Sequence, residues 1–195
     1  MSVQNAELEG VVEELGAIAA DARRVFGGLT AAQLNWKPAE AEWSVGQCFE
    51  HLIKINERFL QVLDRVARGE RKSSAWERIS PLSGLFGRMM IRSLRPGSGW
   101  KAKAPARFAP ASSGVDEKII ARFVEHQSQL AEAMRAASRV DLKRIVVTSP
   151  VARFVTYSLL DACRIVATHE RRHFAQAERV LSRPGFPAAA AASGV

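Results

Sequence analysis

The sequence predicts an all-α protein, a four-helix bundle with a long basic crossover between its second and third helices. Apolar residues recur at three- and four-residue spacing in four long stretches, the signature of helices that bury one face. Capping residues open these stretches and glycine or proline follows them. The single β-branched run, Ile145 to Thr148, is one extended segment, and one segment makes no sheet.

The first helix covers residues 7 to 26, with Leu8, Val11, Val12, Leu15, Ile18, Ala22, Val25 and Phe26 on its apolar side, and Gly27-Gly28 stops it. Thr30 to Gln33 reads as a capping box for one short turn. Trp36 and Trp43 follow in a connector, where they either cover one end of the core or form a wall facing a substrate. Ser44 to Gln47 is a second capping box, opening a helix that runs to about Ala67. Its apolar arc holds Cys48, Leu52, Ile55, Phe59, Val62 and Val66, with His51 at the edge. Prolines and glycines interrupt the pattern from Glu70 to Gly114, although Leu82 to Leu94 has the spacing of a short basic helix. That helix packs on its own domain, contacts an anionic ligand, or meets a membrane or nucleic acid. Ser113 is expected to begin the third long helix, with Asp116 in its first turn, and His126 reads as a surface residue between Glu125 and Gln127. The fourth helix opens at Ser158 and closes before Pro184-Gly185; the Ala-rich end is expected to fray.

Length and composition fit one soluble domain with a sizeable core. No apolar run approaches the roughly 20 residues of a membrane span. The first ten residues lack the features of a signal peptide, which points to the cytoplasm. Cys48 and Cys163 fall in apolar patterns and are expected as buried thiols without a disulfide. The net charge of +8 is concentrated between Arg65 and Arg107, where eleven Lys or Arg face only Glu70 and Glu77. So local an excess does not describe a general nucleic-acid binder.

Chemistry enters at His169 and His173, four residues apart. At about 100° per residue they share an arc with Ala162, Ile165, Val166, Gln176 and Val180, so both interrupt an apolar face. Such a pair presents two imidazoles to one metal ion. His51, early in the second helix, is either a core-edge histidine or the third ligand. If those helices are neighbours, His51, His169 and His173 form an open three-histidine site for a divalent ion, with Zn or Ni favoured over Fe or Mn. The run His169-Glu170-Arg171-Arg172-His173 also satisfies the HExxH pattern of zinc peptidases. Glu170, however, falls toward the helix flank, and Glu178 is the sole acid downstream.

The segments NWKP…EWSVGQCFEHLI and YSLLDACRIVATHERRHFAQAERVL, with their separation, resemble the DinB superfamily of bacterial four-helix-bundle metalloproteins. The resemblance covers roughly residues 5–185, least distinctively in the middle, and implies an up-down-down-up bundle; the domain is read as residues 1–187, with 70–114 as crossover and 188–195 as a flexible tail. It implies that His51, His169 and His173 bind a divalent metal, and that the protein dimerises with its own kind. Relatives in that family include thiol transferases using bacillithiol or mycothiol and a mycothiol-dependent maleylpyruvate isomerase; despite the name, no DNA polymerase is implied. The expected activity is therefore metal-dependent transfer of a low-molecular-weight thiol to an electrophile. The alternative is a metal-binding stress-response or sensor module without turnover. On this reading Arg172, the basic segment or both contact the thiol's polar groups, a structural ion pair being the other role for Arg172. Gln47 and Gln176 either hydrogen-bond around the metal or are ordinary polar residues at the cleft. No nucleic-acid partner and no stable membrane insertion are expected.

Overall fold

The computed structural model describes residues 3–99, 106–110 and 114–188. Four long helices form where the periodicity places them: α1 (Val3–Phe26), α3 (Val45–Ala67), α6 (Ile119–Ala137) and α7 (Leu159–Leu181). Between them lie the short helices α2 (Ala31–Asn35), α4 (Ala75–Ile79) and α5 (Ser83–Leu94), a 3-10 turn at Ala106–Phe108, and strands β1 (Val146–Thr148) and β2 (Thr156–Ser158). Both expected capping boxes are present, at Thr30 with Gln33 and at Ser44 with Gln47, and Ser158 caps α7 by accepting from Asp161 N. A third box, Ser74 with Glu77, opens α4.

Helices α1 and α3 each pack on both α6 and α7, so α1 and α3 stand diagonally across the bundle. Side-chain pairs give the directions. Arg164 reaches Glu7 and Arg171 reaches Asp21, so α1 and α7 run parallel. Phe49 stacks edge-on against Phe123 at 4.9 Å, and further along Asn56 and Gln127 meet at Glu170, so α3 and α6 also run parallel. The His51–His173 and Asn56–Glu170 contacts set α3 antiparallel to α7. The topology is up-down-down-up.

The core divides into two apolar clusters. One surrounds Leu15, Leu63, Leu130 and Tyr157, and the other surrounds Phe26, Phe49, Phe123 and Phe174. Between them, at matching levels of three helices, lie the buried side chains of Asn56, Gln127 and Glu170. A polar layer of this kind pairs only in one axial register, because a slide along any helix strands buried polar groups at about 1–3 kcal/mol each. Cys48 and Cys163 are buried and unbridged.

The crossover is well anchored. Glu77 Oε1 accepts from Thr148 N and Oγ1 at 2.9 and 3.1 Å and pairs with Arg71 at 2.9 Å, which ties the start of the crossover to β1. Helix α5 lies on α7, and Gly87 permits the approach: a Cβ there would meet Asp161 Oδ2 at 2.6 Å. Of its expected apolar side, Met90 and Leu94 pack on the core, whereas Leu85 and Met89 remain exposed.

Three sequence expectations are corrected. The β-branched run does form a sheet, because Val146–Thr148 pairs antiparallel with Thr156–Ser158 immediately before α7. The third long helix begins at Ile119, after Asp116; Ser113 lies outside the described residues. Val115, which follows Gly114 (φ +71°), is instead held by Asn35, which accepts from Val115 N at 2.8 Å and donates to Val115 O at 2.9 Å. Finally, His126 is buried, only 6 % exposed, because the inward face of α6 includes its neighbour Gln127. The tail beyond 188 lies outside the described residues.

Candidate metal centre

The capping box at Ser44 starts α3 so that His51 falls in its second turn, on the face toward α7. There His51 Nδ1 lies 2.7 Å from the carbonyl oxygen of buried Phe108. A carbonyl only accepts, so Nδ1 carries the proton and Nε2 keeps its lone pair. From α7, His169 and His173 bring their Nε2 atoms to 3.1 Å from one another. The three ring centroids are 4.6 to 5.3 Å apart, and one ligand atom from each ring lies within 4.8 Å of the others. His51 and His173 are buried, and His169 is partly exposed at the mouth.

Trp43 stacks on His173 with centroids 5.5 Å apart and planes at 18°, and its ring is 4.9 Å from that of His51. Trp36 instead meets Phe186 edge-on at 5.5 Å. The two tryptophans therefore divide the roles that the sequence left open: Trp36 covers an end of the bundle and Trp43 walls the histidine site.

All three imidazoles are held neutral. Loss of hydration pushes His169 down to about 3, assisted by His51 and by the positive Arg172. Burial lowers His173 well below the usual range, with the other two histidines adding to the effect and the Gln176 side chain opposing it. Burial also lowers His51, against the raising effect of the Phe108 carbonyl. Neutral imidazoles are what a divalent ion requires of its ligands.

The remaining sequence candidates occupy distinct places. Gln176 lies beside His173. Gln47 closes the capping box, its Oε1 accepting from Ser44 N at 3.0 Å. Arg172 donates to Ser93 O at 3.3 Å and Ser98 Oγ at 3.0 Å, joining α7 to the end of α5. Glu170 points away from the histidines. Its flank of α7 is bundle interior, where Oε1 accepts from Asn56 Nδ2 at 2.6 Å and Gln127 Nε2 at 3.0 Å, and burial raises its carboxyl to about 8. It does not occupy the general-base position of a zinc peptidase.

Sequence reasoning missed the Phe108 carbonyl and the core role of Glu170. A main-chain acceptor leaves no side-chain signature. For Glu170 a signal existed in the polar pair Asn56 and Gln127 on the inward faces of their helices.

Fold and site together define a four-helix-bundle protein with a three-histidine centre suited to a divalent metal. Residues 14–177 match the DinB superfamily, and the chain belongs to that superfamily. Among its relatives, the uncharacterized protein YuaE of Bacillus subtilis (strain 168) is 24 % identical over 157 residues, covering 80 % of this chain and 88 % of YuaE. The structure of YfiT from Bacillus subtilis is similar with a TM-score of 0.56 at 12 % identity, over 96 % of this chain and 91 % of that one. YfiT is described as a probable metal-dependent hydrolase with an unusual four-helix bundle topology.

Proposed function

We propose that this protein is a divalent-metal-dependent enzyme that joins a low-molecular-weight thiol to an electrophile. The observation that carries the reading is the set of three neutral, converging imidazoles. Two nitrogens bound at about 2.0–2.1 Å to a tetrahedral ion stand about 3.3–3.4 Å apart, close to the 3.1 Å between the His169 and His173 Nε2 atoms. The residues present therefore fit such an ion, with Zn or Ni favoured by the all-imidazole donor set. Among the described residues three protein ligands converge without a fourth, which favours an exchangeable position over a closed structural site.

A divalent ion bound there supplies Lewis acidity, favouring thiolate over thiol at neutral pH. The chain's own residues supply the setting. Phe108 O holds the His51 ring with its Nε2 inward, Trp43 excludes water from one side, and partly exposed His169 marks the entry. On this reading Arg172, one residue before His173, meets the polar part of an incoming thiol.

The test is transfer of bacillithiol and mycothiol to epoxide and halide electrophiles by zinc- or nickel-loaded protein, against His173→Ala. Metal-dependent adduct formation lost in the variant is expected. Turnover unchanged in His173→Ala would overturn the reading. A second reading, hydrolysis, is favoured by the description of YfiT and predicts ester or amide cleavage by the loaded protein without added thiol. The superfamily resemblance further supports a homodimer acting on small molecules in the cytoplasm. Among the described residues no helix is long and apolar enough to cross a membrane.

A further inference from the structure

Beside the histidines lies a basic groove with no role in holding the ion. At the end of α5 an open groove of about 520 Å³ is lined by Arg92, Ser93, Arg95 and Ser98, with Met89 and Pro96 as its apolar part. Arg172 forms its link to the metal centre: it sits on α7 one residue before His173 and three after His169, and it donates to Ser93 O and Ser98 Oγ. Positive φ at Gly97 (+79°) and Gly99 (+70°) lets the chain turn tightly here, so Ser98 Oγ also reaches Ser93 O at 2.6 Å. The groove's near wall is thus fixed to the ligand-bearing helix.

Its charge is unbalanced. Arg71, Arg164 and Arg171 all pair with carboxylates. Among the described residues no carboxylate lies within ion-pair distance of Arg92 or Arg95. The sequence has no acidic residue between Glu77 and Asp116, so the segment supplies no counter-charge of its own. The guanidinium groups of Arg92 and Arg95 match the planar, multi-acceptor geometry of an oxyanion, whereas the Ser93 and Ser98 hydroxyls give their protons to Met90 O and Ser93 O.

We propose that this groove binds a carboxylate or phosphate group of the ligand whose reactive end reaches the three histidines. The proposal rests on the functional reading above and narrows its substrates to anionic ones. Arg92 and Arg95 grip the oxyanion, while Arg172 spans the distance between that grip and the reacting end.

Calorimetric titration of inorganic phosphate and of succinate into EDTA-treated and zinc-loaded protein at low ionic strength tests this. Saturable binding is expected in both forms, weakened roughly tenfold or more in the Arg92→Ala/Arg95→Ala double variant, with zinc content unchanged. The tighter of the two probes assigns the group as phosphate or carboxylate. Absence of saturable binding, or binding undiminished in the double variant, overturns the proposal. Zinc is read separately by elemental analysis. Anion binding lost in the variant of a protein that holds no zinc would therefore uphold the groove and sink the metal reading, and the converse would sink the groove alone.

Discussion

Replacing Glu170 by glutamine in metal-free protein should remove one component of the pH dependence of stability, the loss that sets in as pH rises from 4.5 toward 8. Glu170 is fully buried, and its folded carboxyl is raised from 4.5 to about 8. Between these values the unfolded chain is ionised while the folded chain holds the proton, so folding takes up a proton. The contribution is fully present below pH 4.5 and is lost as pH rises toward 8. Each unit costs about 1.4 kcal/mol, so from pH 4 to pH 7 the wild type should lose roughly 3 kcal/mol relative to the variant, the histidine contribution being common to both. The amide retains an acceptor for Asn56 and Gln127, and comparing the two proteins across pH cancels any constant packing difference. Urea unfolding in EDTA at half-unit steps from pH 4 to 9 measures it. A difference between the two proteins that does not change with pH would refute the reasoning.

Other perturbations read other parts of the structure. Because all three histidines are lowered, metal-free protein should lose stability as pH falls below 6.5 toward the folded values. Substituting His169→Asn should flatten that dependence by about one proton in urea titrations. Trp43 stacks on His173, so nickel should quench part of the intrinsic fluorescence, and Trp43→Phe should remove the quenching while leaving nickel stoichiometry unchanged. Gly87→Ala places a methyl group against Asp161 and should destabilise by about 1–3 kcal/mol, with faster hydrogen exchange over residues 83–94.

Much of this was legible in the chain because local and global preferences agree. The caps at Ser44 and Ser158 fix where α3 and α7 begin, and the begin points fix which faces His51, His169 and His173 occupy. What escaped detection depends on contacts between distant residues. Asn35 captures Val115 across 80 positions and delays the start of α6. The partner of β1 is Thr156 to Ser158, whose last residue doubles as a helix cap and so read only as one. His126 and Gln127 looked solvated because polar residues usually are; the Glu170 carboxyl that accepts from Gln127 lies 43 positions away. The orientation of His51 depends on a carbonyl, and main-chain groups carry no sequence mark.

The central claim is that His51, His169 and His173 hold one divalent ion. Elemental analysis of untagged protein after zinc or nickel loading and desalting, beside His51→Ala and His173→Ala, tests it most directly. Close to one ion per chain is expected in the wild type and loss of that ion in both variants, with the helical content of each retained. Metal absent from the wild type, or equally present in the variants, would contradict it.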